Sequence, residues 1–67
     1  MSEDVKDIAE RHVKEGQRVV ARQRELIARK KALGQDTATA KDLLDTFERT
    51  LAQFEEDLRV ISGTDPI

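Results

Sequence analysis

The residue that could most readily do chemistry in this chain is its single histidine, His12. An imidazole changes charge near neutral pH, so His12 could sense pH or bind a metal. With no cysteine and no second histidine a metal site lacks ligands, and the Glu-x-x-His pair of di-iron bundles fails because Ala9 occupies the Glu position. His12 lies on an apolar stripe, where a packed ring with one nitrogen at water or at Glu15 is the more ordinary role. We predict no metal and no cofactor.

A strip of arginines on the first predicted helix could contact phosphates. They recur at 7, 4 and 7 residues, which keeps them within about 40° around a helix, and residues 11–33 hold eight basic and two acidic residues. One hypothesis is therefore nucleic-acid binding by charge, through Arg11, Lys14, Arg18, Arg22 and Arg29. Against it, Glu15 and Glu25 are spaced to pair with these arginines along a solvated helix, and no aromatic residue is placed to stack on bases.

No other combination of residues indicates catalysis. The carboxylates are numerous, but none combines burial, a paired partner and a pocket, and the sequence has no Gly-rich phosphate loop or nucleophile motif. We therefore expect a protein that is not an enzyme.

Length and composition limit what these residues can build. Sixty-seven residues, 39% charged and 37% hydrophobic, describe one small domain. Domains this short usually need disulfides, metal or a partner subunit, and here only the partner remains. The net charge of −2 gives no overall attraction to nucleic acid or anionic membranes. The acidic start has no signal-peptide core and no segment is apolar enough to span a bilayer, so we expect a cytoplasmic protein without membrane association.

Periodicity and capping residues predict an all-α, antiparallel two-helix hairpin in a single domain, 1–67. The expected order is a helix over about 3–33, a turn at 34–36, a helix over about 37–61 and a flexible tail at 62–67. A connection this short makes the helices antiparallel.

Local chemistry indicates where each helix begins and ends. Ser2 can cap the first helix, and Gly34 can supply the left-handed residue that ends it. The second helix has three candidate caps, Asp36, Thr37 and Thr39. Acidic residues in the first turn of the first helix and basic ones in its last turn suit its dipole.

The second helix carries the strongest pattern in the sequence. Its apolar residues are spaced 4, 3, 4, 3, 4 and 3, an unbroken heptad stripe, formed by Ala40, Leu44, Phe47, Leu51, Phe54, Leu58 and Ile61. The first helix has the same spacing, but alternate positions are small or polar, namely Ala9, Gly16, Gln23 and Lys30. Val13, Val20 and Ile27 widen its stripe on one flank.

Folding the chain at Gln35 places residues whose numbers sum to about 70 at one level. Small residues then meet large ones, which is how helical layers interdigitate. The predicted pairs are Gly16 with Phe54, Gln23 with Phe47, Ala9 with Ile61, and His12 with Leu58. Gln23, polar on the seam, can specify alignment.

Two helices cannot hide this stripe alone, so we predict a homodimer that forms a four-helix bundle. Its core and dimer seam would contain Val19, Leu26, Leu44, Phe47, Leu51, Phe54 and Leu58. Another helical protein could cover the same faces. The first helix has a net charge of +3 over residues 3–33 and the second −5 over residues 36–65, which favours their antiparallel docking.

Two resemblances bear on these expectations. Residues 15–27, the Gly34-Gln35-Asp36-Thr37 turn and residues 43–48 resemble a family of short bacterial helical-hairpin proteins that carries no assigned activity. Length, turn and alternating small and large layers are similar to the Rop-type plasmid copy-control proteins, dimeric bundles that bind RNA hairpins. The first resemblance implies a helical hairpin, and the second implies only the four-helix arrangement, since no RNA-facing residues match.

The function expected from the sequence is a non-enzymatic, homodimeric interaction module that regulates through protein–protein contacts. The alternative is a small RNA- or DNA-binding regulator that uses the arginine strip. A third hypothesis, a ligand-binding bundle, would need a cavity around Gly16 and Ala9.

Overall fold

The protein is an antiparallel pair of α-helices in a computed structural model that describes residues 4–63. Helix α1 spans Val5–Ala32 and helix α2 spans Ala38–Gly63, and the two pack along their length. No strand occurs within residues 4–63. The all-α hairpin predicted from the sequence is therefore confirmed. Neither helix contains, within the described residues, an apolar stretch long enough to cross a membrane.

Both helices differ slightly from their predicted bounds. Asp4 occupies the N-cap position of α1, with extended backbone and no capping bond from its side chain. Its carbonyl oxygen accepts the first helical bond, from the amide of Ile8 at 3.2 Å. Ser2, the predicted cap, lies outside the described residues. At the other terminus α2 continues through Gly63, so the predicted tail does not begin at residue 62, and residues 64–67 are also outside the described range.

Helix α1 ends in a Schellman motif centred on Gly34. The Gly34 amide donates to the carbonyl of Lys31 at 3.1 Å and the Gln35 amide donates to that of Lys30 at 2.8 Å. Gly34 adopts a φ of 71°, the left-handed conformation that this motif requires and that glycine enters without a Cβ clash.

Helix α2 begins with a cap from Asp36. Its Oδ1 accepts a hydrogen bond from the Ala38 amide at 3.0 Å, and the carbonyl of Thr37 accepts the first helical bond, from Lys41 at 2.9 Å. Among the three candidate caps, Asp36 supplies the side chain, while Thr39 lies inside the helix.

The hairpin is a single layer of structure. Its extents are 54 × 22 × 14 Å, two helices wide and one deep, and its radius of gyration is 15.7 Å, against roughly 11 Å for a compact chain of this length. Within residues 4–63, only Ala9, Val20, Ala40 and Gln23 are buried. The accessible surface is 5487 Å², about 1200 Å² above the roughly 4300 Å² expected for a folded monomer of 7.6 kDa.

Helix α1 turns the small half of its stripe toward α2. Seven α1 residues spaced by 4 and 3 are buried or half-buried, namely Ala9, Val13, Gly16, Val20, Gln23, Ile27 and Lys30. They meet the heptad stripe of α2, in which Ala40 is buried and the six larger side chains are half-buried. The positions that the sequence marked as weak thus contact α2 together with Val13, Val20 and Ile27, while Val19 and Leu26 lie to one side.

The predicted pairing of levels was wrong by about one seam position. A Cβ built on Gly16 would lie 3.0 Å from Leu51 Cδ1 and 3.6 Å from Leu51 Cα, so Leu51, and not Phe54, is its partner. The ring of His12 lies 5.0 Å from that of Phe54, where Leu58 was expected. The numbers of two residues at the same level therefore sum to about 67 and not to 70. Each of the non-helical residues 35–37 can extend the chain by up to about 3.3 Å, against 1.5 Å for a helical residue, so α2 begins further back along α1.

Candidate interaction surface

One side of the hairpin presents a row of apolar side chains, interrupted by Glu15, Thr50 and Asp57, and we call it the apolar face. Its members lie beside the seam between the helices, and most of them are exposed or half-buried. Helix α1 contributes Val5, Ile8, His12, Val19, Leu26 and Leu33, and helix α2 contributes Leu43, Phe47, Phe54, Val60 and Ile61.

The face is recessed at its open end, away from the turn. A groove of about 370 Å³ lies between the start of α1 and the end of α2. Its lining is apolar except for His12 and Asp57 and consists of Val5, Ile8, Ala9, His12, Phe54, Asp57, Val60 and Ile61. Ala9, a small and buried residue, lies in this lining, so little side-chain volume fills the space between the helices here.

A second groove, of about 230 Å³, continues along the middle of the same side. Val19, Phe47 and Phe54 provide its apolar lining, Glu15 and Thr50 add polar atoms, and Gly16 contributes backbone without a side chain. Phe54 borders both grooves and forms the partition between them. The glycine both brings the helices close together and leaves this groove open.

At the turn end the same face carries three exposed leucines. Leu26 and Leu33 follow Val19 by 7 and 14 residues, two heptads on the same side of α1, and Leu43 precedes Phe47 by one helical turn. Their exposures are 39% for Leu26, 71% for Leu33 and 46% for Leu43. Neither of the two grooves is lined by these leucines.

The opposite side, which we call the polar face, is built differently. Its residues recur at spacings of 4 and 3 on both helices and are charged, polar or alanine, namely Glu10, Lys14, Gln17, Ala21, Arg24, Ala28 and Lys31 with Lys41, Asp45, Glu48, Ala52, Glu55 and Arg59. Arg24 Nη2 donates to Glu48 Oε2 across the hairpin at 3.0 Å, with both side chains about half exposed. This side therefore exposes charged, polar and small side chains to solvent.

Gln23 fixes the seam near the turn. It is 8% exposed, and its Nε2 donates to the carbonyl oxygen of Ala40 at 2.9 Å. Within residues 4–63 no buried side-chain nitrogen or oxygen lacks a hydrogen-bond partner. The amide thus ties α1 to one level of α2, the alignment role that the sequence predicted, although through Ala40 rather than opposite Phe47.

The structure distributes the predicted seam residues over two environments. Leu44, Phe47, Leu51, Phe54 and Leu58 are half-buried against α1. Val19 and Leu26 are about two-fifths exposed on the apolar face. The sequence interpretation omitted Ile8, Leu43 and Val60 from this surface. Helical spacing places Leu43 four residues before Phe47, on the same side of α2, so the sequence could have included it. Spacing alone does not show whether α1 covers that side of α2.

His12 and the basic strip both lie at the surface. His12 was predicted on the buried stripe, but it is exposed and packs one ring face at a tilt of 34° against Phe54. The predicted phosphate-contact residues, Arg11, Lys14, Arg18, Arg22 and Arg29, are all exposed. The four arginines project away from α2 because their positions lie opposite the seam around α1.

Residues 4–63 do not form a cluster of metal-ligating side chains. No group of three or more histidine, aspartate or glutamate side chains in residues 4–63 is placed to hold a metal ion. The two grooves are open and largely apolar, so their geometry suits packing against another surface. No family model, curated protein or solved structure matches this chain.

Proposed function

We propose that this protein is a non-enzymatic helical interaction module, regulatory in role, that acts through its apolar face and exists as a homodimeric four-helix bundle. The observation that carries the proposal is the apolar face itself. Isolated exposed apolar side chains are ordinary on a monomer, but a contiguous face of this length is typical of an interaction site.

The excess surface is of the size that a dimer would cover. If each chain buries its excess of about 1200 Å², the dimer buries about 2400 Å² in total, within the range of permanent homodimers and above that of weak contacts. Layer architecture supports the same proposal, because a single layer of helices has no interior and a second layer would provide one.

The proposal is tested by measuring molar mass with light scattering over a concentration series, together with helical content by circular dichroism. We expect a helical species of twice the chain mass. Val19→Glu places a charge on the apolar face and should shift the chain to a monomer with reduced helicity. Ala21→Glu adds the same charge two residues away, on the polar face, and is the matched control, so it should leave the dimer intact. Equal behaviour of the two variants would contradict the proposal.

A second candidate function, RNA or DNA binding by the arginine strip, is favoured by one observation. Arg18, Arg22 and Arg29 are exposed, and none of the ion pairs within residues 4–63 includes them. The pairing with Glu15 and Glu25 that would occupy these three side chains is thus not formed. Their charge is free to meet phosphates on the side of α1 remote from α2.

Fluorescence anisotropy with a labelled RNA hairpin and a DNA duplex tests this candidate. Binding should weaken steeply with salt, and Arg18→Glu with Arg22→Glu should abolish it. Arg49→Glu with Arg59→Glu changes charge by the same amount on α2 and serves as the control. Affinity that is insensitive to salt or equally reduced by both double variants would exclude the strip as a nucleic-acid site.

A further inference from the structure

We infer that the occupant of the apolar face is a second copy of this chain bound with its turn at the opposite end, so that the leucines at the turn of each copy fill the open-end groove of the other. This inference rests on the proposed homodimer and adds the orientation and register of the two hairpins. Two face-to-face arrangements with two-fold symmetry are available, one with both turns at the same end and one with the turns at opposite ends.

Shape distinguishes these arrangements. With both turns at one end, the groove of about 370 Å³ in each copy faces the same groove in the other, and the exposed leucines at the turn end of each copy meet each other. Empty volume of that size between packed helices is costly, since protein interiors are close-packed. With the turns at opposite ends, Leu33, the most exposed leucine of the turn end at 71%, enters the groove of the second copy.

The spacing of the apolar residues gives the register. Positions 5, 12, 19, 26 and 33 of α1 form one heptad series that is symmetric about Val19. In an antiparallel contact centred there, Val5 lies level with the second copy's Leu33, and His12 lies level with the second copy's Leu26. The two Val19 side chains meet at the two-fold axis. The middle groove, lined by Val19 and Phe47, then faces itself and is filled by the same residues of both copies.

One charged pair beside the contact agrees with this register. Glu15, which lines the middle groove, and Arg22 have numbers that sum to 37, so Glu15 lies level with the second copy's Arg22 when the centre is Val19.

The distance between the two turns tests the orientation directly. The chain has no cysteine, so Gln35→Cys at the exposed turn allows a single nitroxide label, and Gln35 lies outside the proposed contact. Electron–electron dipolar spectroscopy should give a separation of about 40 Å or more, because a helix of 28 residues is about 42 Å long. A separation below about 25 Å would overturn the inference and leave the proposed dimer standing. A monomer by light scattering would overturn both.

A charge exchange tests the register independently. Leu33→Glu should raise the dimer dissociation constant more than about tenfold, because it removes a buried side chain and places a charge in the groove. Adding Val5→Lys to the same chain should recover a large part of that loss, since the two new charges are level across the interface. Within one hairpin these positions lie at opposite ends of α1, so they cannot compensate each other there. If Val5→Lys did not recover any of the dimer affinity that Leu33→Glu removes, the register would be contradicted.

Discussion

The polar face and the apolar face are made from the same two helices, yet only the apolar face leaves large apolar side chains uncovered. On the polar face, alanines and charged residues flank the seam, and Arg24 and Glu48 join the helices across it. On the apolar face most of the side chains flanking the seam are valine, leucine, isoleucine and phenylalanine, with Glu15, Thr50 and Asp57 among them and two grooves between them. Each helix therefore packs against the other helix with one side and exposes charged residues with a second side. A third side of each helix keeps its apolar residues uncovered.

The small residues of α1 explain why the difference arises. Gly16 brings the helices so close that an added Cβ would touch Leu51, and Ala9 and Ala40 are buried in the same seam. A seam made of small residues cannot also enclose Val19 or Leu26, which lie about 100° around the helix from it. The apolar stripe of α1 is three heptad positions wide. One part of it therefore contacts α2, and the other part remains on the apolar face.

Phe54→Ala should have the largest effect, because Phe54 lines both grooves of the apolar face and contacts the ring of His12. We expect a loss of about 3–5 kcal/mol of unfolding free energy when the face is covered in a dimer. Urea unfolding at several protein concentrations measures it. In an uncovered hairpin the half-buried ring would contribute clearly less, and the loss would not depend on concentration.

His12→Ala is the control for the Phe54 variant. It removes the other ring of the pair and should cost only about 0.5–1.5 kcal/mol beyond the area that it buries. If His12→Ala and Phe54→Ala lowered the urea midpoint of unfolding equally, the contact between the two rings, and not the filling of the grooves by Phe54, would account for the effect.

Gln23→Glu should have the next largest effect, because it buries a carboxylate against the carbonyl oxygen of Ala40 in place of a donor. We expect about 3 kcal/mol of destabilisation at neutral pH. Acidification that protonates the new carboxyl restores a donor, so the loss should shrink at low pH. Thermal unfolding measured at two pH values checks this expectation.

Gln23→Leu is its matched control and separates stability from alignment. An apolar side chain of similar size removes the hydrogen bond without burying a charge, so the unfolding free energy should change by less than about 1 kcal/mol. Alignment should loosen, which would appear as extra or broadened amide resonances for residues near Ala40. If Gln23→Leu gave one sharp set of resonances, side-chain packing alone would fix the alignment of α1 with α2.

The helices, the turn and their termini could be predicted from the sequence because each depends on local chemistry. Gly34 ends α1 through its own left-handed φ, and Asp36 begins α2 by accepting a bond from an amide two residues away. The heptad stripe of α2 likewise predicts which of its residues meet α1. These features need no knowledge of distant parts of the chain.

The level of pairing and the division of the α1 stripe could not be predicted in the same way. A heptad pattern repeats every three or four residues, so a slip by one seam position leaves it almost unchanged. The path of residues 35–37 and the approach of Gly16 to Leu51 decide between the alternatives, and both are properties of the folded chain. For the same reason His12 was placed on the buried stripe, level with Leu58, and instead lies exposed at the edge of a groove beside Phe54.

Gly16→Leu should have a smaller effect than the Phe54 and Gln23→Glu changes. The new side chain cannot fit against Leu51, so it should separate the helices and cost about 1–3 kcal/mol, measured by chemical unfolding. In Gly16→Ala the methyl requires only that Leu51 Cδ1, a flexible atom at 3.0 Å, move by a few tenths of an ångström. Better helix propensity, up to about 1 kcal/mol, should offset that strain.

Gly63→Leu is the control for crowding in the Gly16 variants, since nothing lies within 4 Å of a Cβ at that position. It should not lower stability. A Gly16→Leu variant that was as stable as the Gly63→Leu variant would contradict the close approach of the two helices at Leu51.

Arg24→Ala should have the smallest effect, because it removes an exposed ion pair from the polar face. Solvent and salt screen such pairs, and the pair with Glu48 should contribute about 0–1 kcal/mol. A double-mutant cycle with Glu48→Ala isolates the coupling from other effects of each truncation. Neither variant should change the dimer mass, because this side of the hairpin exposes charged, polar and small side chains to solvent. If either one dissociated the dimer, the polar face would also belong to the interface, and the contrast between the two sides of the molecule would no longer hold.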